Sequence, residues 1–222
     1  MSVMTDGITW LAEPRSIAFG GYSVVMARGL TPEELVGRLT ETVYGPEHTA
    51  VPVGNLTGDE LVELITDSFG SQYEGIGLRH GRCGDWSYTV AYGGWMGEFE
   101  DESPISRGGV DVCRLEFEEE NGKPVPPQFA YTRDGVRLSS FNLHLDGSWG
   151  YDGVDGDPET ASRVQAELTA AGLPADEGAD GEADDRDVHR TALGVLERHF
   201  GLSLPREEIV GGTLPAVLLE PA

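Results

Sequence analysis

Hydrophobic and polar residues alternate over several short stretches of the chain, a pattern typical of half-buried β-strands. The clearest stretch, 86–92, places Trp, Tyr, Val and Tyr at every second position and Ser, Thr and Ala between them. Asp134-Gly135 lies between two further apolar stretches and predicts a tight β-hairpin. The predicted strands are 19–26, 76–82, 86–92, 110–117, 129–133 and 136–145.

Helix starts are indicated by capping residues. Thr31 with Glu34, and Thr57 with Glu60, each fit a capping box, in which hydroxyl and carboxylate bind exposed backbone N–H groups. A third helix is predicted from Asp157-Pro158 to Gly172, and a fourth over 187–200. We therefore predict an α+β fold: an antiparallel sheet of five or six strands packed by three or four helices.

Acidic residues divide the chain into three parts. Residues 152–187 hold twelve acids and two arginines, and 174–187 contains almost no residue that a core would bury. This composition is typical of a solvated linker. The sequence predicts a main domain over 1–173, an acidic linker over 174–187, and a C-terminal helical segment over 188–222 that packs back on the same domain.

The whole chain of 222 residues carries a formal charge of -24, with 39 acids against 15 basic residues, of which only Lys123 is a lysine. So negative a surface repels nucleic acid and anionic membranes and attracts cationic partners. A basic protein is therefore the expected partner. A general compositional bias of the source proteome explains the same acidity, and the sequence leaves both interpretations open.

Cytoplasmic residence is expected. The first six residues show neither a positive segment nor an apolar one, as a secretory signal would. No apolar run approaches the roughly 20 residues that a membrane-spanning helix needs. Two cysteines do not make a disulfide framework.

Several ordered motifs resemble those of an uncharacterised family, a domain of unknown function common in actinobacteria. Its members place a strand, an Arg-Gly-Leu-Thr-Pro-Glu-Glu segment and a helix in that order. The resemblance implies an actinobacterial, cytoplasmic protein and carries over no activity and no catalytic residue. The matching stretches are 21–34, 85–90, 106–109, 131–135, 140–141 and 199–202.

No catalytic motif is visible. The chain lacks the Gly-x-Ser-x-Gly elbow of serine hydrolases and the glycine-rich, lysine-ended loop that binds phosphate. His80, Cys83, Cys113 and His144 lack the paired spacing of a zinc site. The acids after Asp155 begin like a calcium loop, but Thr160 stands where the sixth position needs glycine. We expect no cofactor and no metal, and binding is favoured over catalysis.

Aromatic residues in glycine-rich loops give the candidate binding surface. Trp is common at the energetic centre of protein interfaces, and here such loops occur beside acidic clusters. The first hypothesis is an acidic binding protein and, more specifically, an immunity-like inhibitor of a basic partner such as a nuclease toxin. The alternative is a small-molecule binding domain or enzyme with a cleft over the sheet; a loop Trp that only plugs the sheet's end is a further possibility. The candidate residues are Trp95, Arg107, Trp149, Tyr151, Glu100, Asp101, Glu118 and Glu119.

Overall fold

The computed structural model describes residues 6–17, 21–94, 103–119, 125–173 and 185–222. Over these ranges the chain forms one antiparallel sheet of nine strands, and five α-helices. The strands are β1 Gly21–Arg28, β2 His48–Leu56, β3 Ile76–Cys83, β4 Trp86–Gly93, β5 Asp111–Glu118, β6 Gln128–Arg133, β7 Val136–Asn142, β8 Asp155–Gly156 and β9 Leu214–Pro221. Their order across the sheet is β2-β9-β3-β4-β1-β5-β6-β7-β8. The helices are α1 Pro32–Thr40, α2 Gly58–Phe69, α3 Pro158–Ala170, α4 Asp185–Phe200 and α5 Arg206–Val210.

The prediction of five or six strands and three or four helices is wrong, because the described ranges contain nine strands and five helices. Alternation does not reveal β9, since both of its faces are covered and the four residues 216–219 are all buried. β2 holds Pro52 and Gly54, which the sheet tolerates because β2 lies at its edge. β8 and α5 are only two and five residues long.

The sheet separates two hydrophobic cores. Alternate residues of β1 face opposite sides: Tyr22, Val24 and Met26 lie in the first core, and Val25 and Ala27 in the second. The first core is covered by α2, α3, α4 and α5 together with the 3₁₀ turn Thr9–Ala12. The second is covered by α1, which packs against β2, β3 and β4.

The predicted capping boxes are confirmed. The N–H of Glu34 donates to the Thr31 hydroxyl, and the Glu34 carboxylate accepts the Thr31 N–H at 2.8 Å. Thr57 and Glu60 repeat this exchange at the start of α2. Two of the orphan N–H groups of each helix start are thereby satisfied.

A buried arginine fixes α5 to the sheet. Arg79 on β3 has no exposed surface, and its guanidinium donates to the backbone carbonyls of Ile209, Glu208 and Gly212 at 2.6–3.1 Å. It also donates to the Tyr92 hydroxyl at 2.8 Å. The Glu208 carbonyl also accepts backbone N–H groups from Gly211 and Gly212. The arginine supplies a donor to the Ile209 and Gly212 carbonyls as well, and so caps the C-terminal end of α5.

Candidate functional site

Trp149 lies in a 3₁₀ turn, Gly147–Trp149, that follows β7. The Asp146 carboxylate accepts the Ser148 N–H at 2.7 Å and caps the turn, and hydrogen bonds from Ser148 lower the pKa of Asp146. Gly150 leaves the turn with a φ of 82°, a left-handed conformation that glycine adopts without steric cost. The indole, 51% exposed, is thus held out of the core by local structure.

Trp149 stands between two cavities. The first, which we call the histidine cleft, has a volume of about 430 Å³ and lies where β5 ends, beside the start of α4 and the turn after β7. Its lining residues are Ala12, Glu13, Phe117, Glu118, Glu119, Val125, Pro126, His144, Asp146, Trp149, Asp185, Arg186 and His189.

A cluster of rings forms the floor of the histidine cleft. His189 on α4 is 1% exposed and shares a 2.6 Å hydrogen bond between its Nε2 and the Tyr22 hydroxyl. The ring of His144 lies 5.6 Å from that of His189 and 5.9 Å from that of Phe117. Burial lowers the pKa of His189 to about 3, with smaller effects of His144 and Arg190, and burial also lowers the pKa of His144. Both imidazoles are therefore neutral at pH 7.

The cleft's mouth is strongly acidic. Five carboxylates and one arginine line the cavity, and the neutral histidines do not offset their charge. Glu119 binds Arg186 at 2.6 Å and accepts the Arg15 N–H at 3.1 Å, while Glu13 binds Arg206 at 2.5 Å. The Asp185 side chain is exposed and makes no hydrogen bond to the residues described.

The second cavity lies on the sheet itself, on the face that α1 covers elsewhere. We call it the polar sheet cavity; it has a volume of about 320 Å³, and the opposite side of Trp149's turn forms part of its wall. Its floor contains the ion pair of Arg114 and Glu116, 2.6 Å apart. The cavity is lined by Arg114, Glu116, Gln128, Phe129, Ala130, Arg137, Ser140, Phe141, Asn142, Trp149, Gly150, Tyr151, Gly153 and Asp155.

The structure brings four of the predicted site residues to these cavities. Trp149, Glu118 and Glu119 line the histidine cleft, and Trp149 and Tyr151 line the polar sheet cavity. Trp95, Glu100 and Asp101 lie outside the described residues.

Arg107 lies elsewhere. It precedes β5, whereas Glu118 ends that strand, so roughly 25 Å of extended chain separates them. Its guanidinium donates to the Pro104 carbonyl at 2.9 Å and lies 3.5 Å from Glu41, beside α1. The structure therefore does not join Arg107 to the cavities.

Sequence reasoning missed His189. The sequence does contain a signal for its burial, which is the helical spacing of α4. Intervals of three or four residues place one set of side chains on the same face of that helix: His189, Leu193, Leu196 and Phe200. A histidine on the buried face of a helix must find a polar partner, and Tyr22 supplies it here. Nothing local in the sequence places His144 opposite it.

The described ranges contain no grouping of three or more His, Cys, Asp or Glu side chains able to hold a metal ion. Cys83 and Cys113 are buried free thiols, and burial raises the pKa of each. None of the helices in the described ranges has both the length and the apolar character needed to cross a membrane.

Comparison with known proteins identifies a family. The model of a family described as "Family of unknown function (DUF6461)" matches residues 1–210. No curated protein and no solved structure matches the chain.

Proposed function

Because the chain belongs to DUF6461, a family of unknown function, we propose its function from its own cavities: it is a binding protein for a cationic protein partner. The histidine cleft receives a basic side chain of that partner. The observation that carries this proposal is the exposed indole of Trp149 at the mouth of a cleft lined by five carboxylates and one arginine.

The two kinds of group act together on a cation. The carboxylates attract a guanidinium or ammonium group, and the face of an indole adds about 0.5–2 kcal/mol of cation–π attraction, depending on how far the pair is desolvated. Neutral His144 and His189 keep the acidic potential of the cleft intact at pH 7. An aromatic anchor in a partly enclosed site is also the usual arrangement of an interface hot spot.

The charge of the whole chain supports the same proposal. With a formal charge of -24, the protein attracts a basic partner over distances beyond direct contact, which speeds association and makes it sensitive to salt. The same charge opposes nucleic acid as the partner.

Affinity capture from the native host tests the proposal. The immobilised protein should retain a basic protein at about 0.05 M NaCl and release it at about 0.5 M, since salt screens the attraction. The immobilised Trp149→Ala variant should no longer retain the partner. Tyr44→Ala is the matched control, because Tyr44 is an aromatic residue that is 70% exposed and lines neither cavity. Recovery of no cationic protein at either salt concentration would refute the proposal.

The more specific proposal is an immunity-like inhibitor of a basic enzyme such as a nuclease toxin, acting in the cytoplasm of an actinobacterium. Its support is the acidity of the chain and the resemblance of its ordered motifs. Stoichiometric addition of the protein should abolish the captured partner's nuclease activity. A partner without enzymatic activity, or one whose activity persists when bound, would reject the inhibitor role and leave the binding role standing.

A further inference from the structure

We propose that the polar sheet cavity is a second binding site, which takes a neutral saccharide. One sugar ring stacks on Trp149, and its hydroxyl groups bind polar side chains of β5, β6, β7 and β8. This goes beyond the recognition of a cationic partner, because the two sites share Trp149 but differ in their other lining residues, in charge and in ligand.

Strand register builds the floor of the cavity. Residues opposite one another on neighbouring strands project to the same face of the sheet. Two rows of such residues cross this part of the sheet, one over β5–β8 and one over β5–β7, and both carry side chains that are almost all polar. The first row contains Arg114, Ala130, Ser140 and Asp155, and the second contains Glu116, Gln128 and Asn142.

Stability of the fold does not account for this polar floor. Glu116 is 7% exposed, and the side chain of its partner Arg114 is 13% exposed. Taking such a pair out of water costs several kcal/mol per ion, and well-packed apolar residues are often as stabilising or more so. The other face of the same strands is apolar, with Leu115, Phe129 and Phe141 buried in the first core.

The charge of the lining selects the ligand class. Two arginines and two acids, Arg114, Arg137, Glu116 and Asp155, balance within a chain of net charge -24. An anion would meet Asp155 and a cation would meet Arg137, so neither is favoured. A neutral ligand with many hydroxyl groups uses both kinds of residue, because each hydroxyl donates to a carboxylate or amide oxygen and accepts from an N–H.

Unused polar groups lie beside the aromatic wall. The Ser140 hydroxyl and the Asp155 carboxylate are register neighbours, and neither makes a hydrogen bond to the residues described. The Tyr151 hydroxyl donates to Gln165 Oε1 at 3.0 Å, which holds the tyrosine ring in place. A pyranose ring has an apolar face of C–H groups, which can pack on an exposed indole. The hydroxyl groups at the edge of the ring can form hydrogen bonds with the polar side chains of the sheet. The cavity, about 320 Å³, lies at the small end of ligand pockets, consistent with one or two sugar rings.

Amide chemical-shift mapping by NMR tests this site. The probes are maltose, cellobiose, lactose and N,N′-diacetylchitobiose, each added to about 10 mM to detect dissociation constants in the millimolar range. At least one of these saccharides should shift amide resonances of β6, β7 and the turn that holds Trp149. Adenosine is the competing probe, because a planar base also stacks on an indole.

Two variants make the test specific to this cavity. Asp155→Asn should weaken saccharide binding about tenfold, since a sugar hydroxyl that donates to a charged carboxylate would then donate to a weaker, neutral amide oxygen. Asp152→Asn is the matched control, because Asp152 is an exposed acid that comes just before β8 and lines neither cavity. Asp155 does not line the histidine cleft, so Asp155→Asn should leave partner capture unchanged. The proposal is overturned if no saccharide shifts these resonances, if only adenosine does, or if the two variants bind the saccharide equally.

Discussion

Arg79 shows how one buried side chain sets the position of a helix. It carries a positive charge with no exposed surface, and its four hydrogen bonds to the described residues go to neutral oxygen atoms: the Tyr92 hydroxyl, two carbonyls of α5 and the Gly212 carbonyl just beyond that helix. Such a cation is tolerable only because every one of these oxygens is directed at it. The sequence places Arg79 inside a predicted strand and does not indicate that its guanidinium binds these oxygens.

Replacing Arg79 with Met should lower the free energy of unfolding by about 3–5 kcal/mol, because the carbonyls of Ile209 and Gly212 lose the guanidinium as their donor inside the core. Urea denaturation measures the loss. Arg82→Met is the control: Arg82 lies on the same strand, is exposed, and among the described residues donates only to the Gly84 carbonyl, so a change within about 0.5 kcal/mol is expected. Equal losses in the two variants would contradict the role given to Arg79.

His189 links stability to pH. Its pKa is about 3 in the folded protein and near 6.5 when unfolded, so the unfolded chain binds one more proton between these values. Stability therefore falls as the pH drops below about 6.5. From pH 7 to pH 5 this residue should remove about 2 kcal/mol from the free energy of unfolding.

His189→Gln isolates that contribution, because glutamine does not titrate and still offers a hydrogen-bonding group to Tyr22. Urea denaturation of both proteins at pH 7 and pH 5 should show a loss about 2 kcal/mol smaller in the variant. Other titrating groups, His144 among them, affect both proteins and cancel in the difference. Parallel losses would mean that His189 is protonated in the folded state.

At the scale of elements, local signals predicted the structures that local chemistry builds. The capping boxes, the Asp157-Pro158 helix start and the strand at 86–92 are all present. The Asp134-Gly135 hairpin is present too, and both residues have positive φ, as a tight type I′ turn requires. β9 was missed because a strand covered on both faces has no alternation to detect.

β9 should matter more to stability than its place at the end of the sequence suggests. It lies between β2 and β3, and Leu218 is 3% exposed in the first core. Leu218→Ala should lower the free energy of unfolding by about 2–5 kcal/mol through lost burial and a residual cavity. Glu220→Ala, an exposed change on the same strand, should alter it by less than about 0.5 kcal/mol. Similar values in urea denaturation would show that β9 is only loosely held.

At the scale of the whole molecule, the net charge of -24 affects the fold as well as its partners. Like charges repel one another in the compact state more than in the expanded unfolded chain. Raising NaCl from about 0.01 M to about 0.15 M shortens the screening length from about 30 Å to about 8 Å. The free energy of unfolding in urea should therefore increase, and a decrease would show that net attraction between charges holds the fold together.

The sequence alone determined the chemistry of short segments: helix starts, one hairpin, the alternating strands and the acidity of the chain. These depend on residues within a few positions of one another, so their physical causes lie in the sequence itself. The tertiary structure alone decided that Trp149, Glu118 and Glu119 meet beside His144 and His189, and that the C-terminal strand enters the sheet between β2 and β3. Those arrangements join residues far apart in the chain, and they follow from the burial of two cores, which no short pattern specifies.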